Sequence, residues 1–162
     1  PYFKTEENIA LFERQKVLSK EEVESRYEIL MDEYEKQINI EALTMLDIAK
    51  KDILPAASKF SKELTDTIAN KKAIGIDLTY ELETAKKISE YLTEAYQAMM
   101  TLENDVKKLH EIDDFEKSAF YVRDFIIQDM AALRKPCDEL EVITSNRDWP
   151  FPTYGKLLFG IQ

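Results

Sequence analysis

The chain has 162 residues, 44% apolar and 33% charged, with only 3 glycines and a formal net charge of -10. It is long enough for one packed domain, too apolar for disorder and too poor in turn residues for a many-stranded sheet, so long helices are expected. The acidic balance excludes bulk attraction to nucleic acid or anionic lipid, and no run approaches the ~20 apolar residues of a membrane span. A single cysteine, Cys137, cannot close an internal disulfide, and no basic-then-apolar secretory start is present. A soluble, cytoplasmic protein is the expectation. The first residue is Pro1 and not Met, which suggests a processed or excised segment.

In chain order, Thr5-Glu6-Glu7 can start a brief helix through Phe12. Ser19-Lys20-Glu21-Glu22 then has the form of a capping box, in which Ser19 accepts from the backbone three residues on and Glu22 reaches back. The long helix it opens carries Val23, Tyr27, Leu30, Met31, Tyr34, Ile38, Ala42, Met45, Leu46, Ala49 and Ile53 at three- or four-residue steps, a single inward stripe. Pro55 removes a backbone donor and crowds the carbonyl of Lys51, so it kinks or breaks this helix. A kink is favoured, because the stripe continues through Ala56, Ala57, Phe60, Leu64 and Ile68. Lys71 and Lys72 suit a helix C-terminus, and Gly75 suits a left-handed cap.

Asp77 or Thr79 is expected to cap a second helix, inward at Leu78, Leu82, Ala85, Ile88, Leu92, Ala95, Met99, Leu102, Val106 and Leu109. From Ala85 onward this is the alternating three-four step of a coiled-coil seam. Asp113-Asp114 opens a third helix, inward at Ala119, Val122, Ile126, Met130, Leu133, Cys137, Leu140 and Ile143, with Pro136 as a further kink. From Ser145 onward the chain becomes irregular, aromatic and proline-stiffened. The expected fold is therefore all-α: an elongated antiparallel bundle of three long helices with an irregular C-terminal tail. At ~1.5 Å per residue the first helix would span roughly 80 Å and overhang its partners. Residues 1–18 form a connecting segment, 19–144 the bundle and 145–162 a docking tail.

Catalytic chemistry is hard to assemble from these residues. A di-metal carboxylate bundle needs Glu-x-x-His pairs, but the only histidine is His110, and Lys107 stands three residues before it. The same count excludes multi-histidine or multi-cysteine zinc sites. His110 reads as a solvated residue at a helix C-terminus, Asp113-Asp114 and Asp138-Glu139 as helix-dipole partners, and Met45, Met99, Met100 and Met130 as core. Gly75, Gly155 and Gly160 are isolated and build no phosphate loop. No catalytic, cofactor-binding or metal residues are assigned. The tail differs, since Trp149, Phe151, Tyr154, Leu158 and Phe159 have no helical face to explain them and each gains about 1.5–3 kcal/mol on burial. They form the candidate interface, either folded back on the bundle or docked on another domain or subunit.

Four stretches together resemble the C-terminal region of type III glutamine synthetases: Arg26 to Leu30, the unbroken run Asn39 to Ala56, Asp138 to Glu141, and Trp149-Pro150-Phe151-Pro152-Thr153-Tyr154 with Leu158-Phe159. The likeness extends from about Val17 to Phe159. It departs at Lys156, near which the family commonly carries an acidic residue. The resemblance implies a parent enzyme that joins glutamate and ammonia through a γ-glutamyl phosphate, using ATP and Mg or Mn. Those sites would lie in upstream β-grasp and catalytic domains, and none of their motifs falls in this chain. The implied role is structural: packing against the catalytic domains and neighbouring subunits of a homo-oligomeric ring. The competing reading is a free-standing helical coiled-coil interaction or adaptor protein, for which the seam from Ala85 to Leu109 is the motive. A metal-storage bundle is a third reading, already without its ligands.

Overall fold

A computed structural model describes residues 2–152 and 154–160. Among the described residues every regular element is helical. In order these are α1 (Glu6–Arg14), α2 (Lys20–Ile48), a first π segment (Ala49–Ile53), α3 (Leu54–Ala73), α4 (Thr79–Leu109), α5 (Phe115–Tyr121), a second π segment (Val122–Ile126), α6 (Ile127–Ile143) and α7 (Tyr154–Phe159). No described helix is long and apolar enough to cross a membrane. The all-helical expectation holds, but the expected count of three long helices does not. Short helices stand at both ends, and the segments before α3 and α6 widen into π geometry.

Local chemistry sets most boundaries. Thr5 caps α1. At the start of α2 the capping box closes in both directions, with Glu22 N–H donating to Ser19 Oγ at 3.3 Å and Ser19 N–H donating to Glu22 Oε2 at 2.7 Å. Two of the helix's orphan donors are thereby satisfied. Asp114 caps α5, accepting from Lys117 N–H at 2.8 Å. After α3, Gly75 adopts φ +69°. Its N–H donates to the Lys72 carbonyl at 3.3 Å while Ile76 N–H reaches Lys71 at 3.2 Å, the two bonds of a Schellman cap. The cap expected before α4 is absent. Leu78 occupies the N-cap position with no side-chain bond, and the Thr79 hydroxyl donates instead to Asp77 at 3.0 Å.

Pro55 does not break the helix. Ile53 and Leu54 both keep right-handed helical angles, and Leu54 N–H donates to the carbonyl of Ala49, five residues back. The wider π turn accommodates a proline that has no N–H to give and whose ring crowds the turn before it. The same widening corrects the apolar stripe. Two successive four-residue steps, Ala49 to Ile53 to Ala57, overshoot two α-helical turns by about 80°, and a π turn absorbs the excess. Val122, Ile126 and Met130 repeat that spacing, and there the second π segment occurs. Pro136 lies inside α6 without ending it.

Where the spacing drifts and no π segment intervenes, side chains turn outward. Tyr34, Ile38 and Ala42 are also two four-residue steps, and here Leu30 and Tyr34, expected inward, are exposed. Leu82 is likewise exposed. Its place is taken by Glu81, buried and bonded to Lys71 Nζ at 2.5 Å. The core otherwise follows the expected seam: Ile88, Ala95, Met99, Leu102, Val106 and Leu109 of α4 are buried with Ala42, Leu46, Ala49, Ala57 and Leu64 on one side and Val122, Ile126, Leu133, Cys137 and Leu140 on the other. α4 packs along both α3 and α6, while α2 rests chiefly on α5. The arrangement is thus centred on α4, and the first half of α2 keeps an apolar flank in water.

Candidate docking surface

The chain leaves α6 at Thr144, whose extended backbone closes the helix. Asp148 and Trp149 N–H groups both donate to the Ser145 carbonyl at 2.9 Å, a turn that lays the following residues against α3. There Lys59 Nζ donates to Asp148 at 2.9 Å, and Arg147 pairs with Glu63 and, at 3.4 Å, with Asp148. The Lys59 ammonium holds the Asp148 carboxyl below its ordinary range. Trp149 follows this anchor and packs half-buried on the core cluster. Its ring meets Phe151 edge-on, at 6.1 Å between centroids and an interplanar angle of 71°.

The tail aromatics therefore divide. Trp149 faces the chain's own bundle, with Phe151 at its edge. Beyond Pro152 the tail is not irregular, as expected from its prolines, but forms α7. On it Leu157, Leu158 and Phe159 are 65%, 68% and 84% exposed. The side chain of Tyr154, the remaining candidate, lies outside the described residues. The five candidates are not one cluster, and Leu157 belongs with the outward pair.

A second apolar surface lies between α2 and α6, beside the first π segment. Ile40, Met45, Ile48, Ile53, Leu133 and Cys137 line an open groove of about 470 Å³. Burial pushes the Cys137 thiol up to about 11, so it is a packing group and not a nucleophile. Ile40 stands exposed on the rim of the groove, and Leu43, Leu30 and Ile29 are exposed elsewhere along α2. Ile29, Ile40 and Leu43 occupy off-stripe positions, and that of Ile40 is the one sequence signal for this surface.

At the other end the lead-in is tied down. Lys4 Nζ pairs with Glu116 at 2.8 Å and lies 4.5 Å over the Tyr27 ring, while the Tyr27 hydroxyl donates to Glu116 at 3.1 Å. This joins the segment before α1 to α2 and α5. The Lys4 ammonium lowers Glu116, and burial raises the Tyr27 phenol. His110 ends α4 exposed, with Nε2 3.1 Å from Asn39 Nδ2, and meets no nucleophile. Among the described residues no three His, Cys, Asp or Glu side chains are grouped as a metal site would need.

Comparison with known proteins points to one family. The family described as "Glutamine synthetase C-terminal domain" matches residues 1–72. A glutamine synthetase of Butyrivibrio fibrisolvens is 35% identical over 164 aligned positions, covering 100% of this chain but 23% of its own length. A type-3 glutamine synthetase of Dictyostelium discoideum is 30% identical over 96% of this chain and 22% of its own length. A glutamine synthetase of Bacteroides fragilis (strain YCH46) is 23% identical over 90% of the chain and 21% of its own length. The chain thus spans less than a quarter of the relatives it matches. The chain is thus similar to glutamine synthetases along nearly all of its length, and its first 72 residues match the C-terminal domain of that family.

Proposed function

We propose that this domain is a structural and assembly element of a cytoplasmic type III glutamine synthetase. The whole enzyme makes glutamine from glutamate, ammonia and ATP with Mg or Mn, and this domain contributes no catalytic group. α7 presents Leu157, Leu158 and Phe159 to a catalytic domain or to a neighbouring subunit of a homo-oligomer. The observation that carries the reading is their exposure: three large apolar side chains on one short helix lose free energy in water and regain it only against another surface. The tail is anchored to α3 through Lys59 and Asp148, so it leaves the bundle from a fixed point. The adaptor alternative loses its motive, because the seam of α4 is occupied within the chain by α3 and α6.

The test is deletion of residues 149–162 from the full-length protein, followed by sedimentation and ligase assays. The expected result is a smaller or less stable oligomer with lowered activity. Unchanged oligomer size, melting temperature and turnover would refute the assembly role of the tail. Ligase activity in the isolated 162-residue chain would refute the assignment of all catalysis elsewhere.

A further inference from the structure

The seam between α4 and α6 is apolar along most of its length, but beside the second π segment it contains a polar cluster. Asp105 on α4 is buried. It accepts from Lys108 Nζ at 2.5 Å and also faces the Tyr121 hydroxyl, at the end of α5, and the Asp129 carboxyl of α6. Asp129 Oδ2 is shut off from solvent and receives no hydrogen bond from any N–H or O–H. Two carboxylates cannot hydrogen-bond to one another without a proton between them, and a buried carboxylate oxygen with no donor is costly.

We propose that Asp105 and Asp129 share one proton across the α4–α6 seam, and that its loss to solvent loosens this seam beside the second π segment. Asp129 is the acid of the pair, donating O–H to the Asp105 carboxylate, and Lys108 and Tyr121 fix the charge on Asp105. Lys108 opposes the proton on Asp129 only weakly, and the described cations of the adjoining π segments are engaged elsewhere. Arg123 and Asp124 of the π segment pair with each other at 2.6 Å. Lys50 of the first π segment turns to Glu103 at 2.7 Å, and Lys51 pairs with Asp47 of α2. The nearby segment Val122–Ile126 is already in wider π geometry, a form that often marks adjustable sites.

The electrostatics agree with this geometry. Burial, then the hydrogen bond and negative charge of Asp105, push Asp129 up to about 6. Burial also pushes Asp105 upward, but bonds from Lys108, Asp129 and Tyr121 outweigh it and hold that carboxyl low. For Asp129 the folded chain binds the proton more tightly than the unfolded chain, so the stabilisation is complete below pH ~4 and is lost as pH rises to about 6. Asp105 acts with the opposite sign, and only below its ordinary range.

The experiment compares urea unfolding of the whole chain with that of Asp129→Asn between pH 4.5 and 8. Glu35, also raised by burial, is common to both proteins and cancels in the difference. The parent's unfolding constant is expected to rise, relative to the variant's, on the order of 10- to 100-fold across this range, since the amide donates permanently. Parallel pH profiles would overturn the proposal. Carbon NMR of the Asp carboxyls in the parent gives a reading that does not depend on any variant folding. One carboxyl titrating near pH 6 supports the shared proton, and two titrating in the ordinary carboxylate range refute it. In Asp105→Asn the Asp129 titration should fall; if it stays raised, burial alone is responsible and no proton is shared.

Discussion

Trp149 and the pair Leu158 and Phe159 sit nine and ten residues apart in one tail, yet their substitutions should be read by different measurements. Leu158 and Phe159 are 68% and 84% exposed. Replacing both by Ser should change the stability of the chain by no more than about 0.5 kcal/mol, the usual bound for surface positions. Trp149 is half-buried against the core cluster. Truncating a fully buried Trp costs about 3–5 kcal/mol, so Trp149→Ala should cost about 2 kcal/mol. The Trp149 Nε1–H has no acceptor, which reduces the loss further. In an assembled protein the order reverses. Burying the exposed parts of Leu158 and Phe159 is worth roughly 3 kcal/mol together, so their double substitution should weaken docking on the order of 100-fold. Urea midpoints of the chain measure the first effect, and sedimentation of the full-length protein across a dilution series measures the second. If Leu158→Ser/Phe159→Ser lowers the urea midpoint as far as Trp149→Ala does, α7 is folded onto its own bundle and the docking argument fails.

Leu133 is fully buried between α4 and α6, so Leu133→Ala should destabilise the chain by about 2–5 kcal/mol in urea or thermal unfolding; a loss below ~1 kcal/mol would mean that the seam collapses around the gap. At Gly75 an added Cβ meets no atom within 4 Å, yet φ is +69°. Gly75→Ala should therefore cost about 1–2 kcal/mol from backbone strain alone, and a neutral result would place the α3–α4 turn in another conformation. Cys137, pushed up to about 11 by burial, should react with a thiol reagent at pH 8 only at the rate of local opening. Labelling of the native chain as fast as of the urea-unfolded chain would contradict that burial.

How much of this was legible in the sequence follows from the range of each interaction. The capping box at Ser19, the Schellman glycine at position 75 and the cap at Asp114 involve residues three to five apart, so local chemistry named them in advance. The α4 seam was legible for the same reason, because alternating three-four steps keep side chains on one face. The tail was recognised as unusual but not divided. Nothing in Trp149-Pro150-Phe151 shows that Lys59, distant in sequence, fixes Asp148 and brings the indole inward while Phe159 faces water.

By itself, the amino-acid sequence determined that this chain is helical, where most of its helices begin and turn, and which family it resembles. Those properties depend on neighbours within one or two turns and on the identities of the residues. Tertiary packing decided the rest. It converted two overshooting stripes into π segments, turned Leu30, Tyr34 and Leu82 outward, and set the carboxyls of α4 and α6 facing each other. Each of those outcomes depends on what a different helix places opposite, a relation that spacing along one helix does not encode.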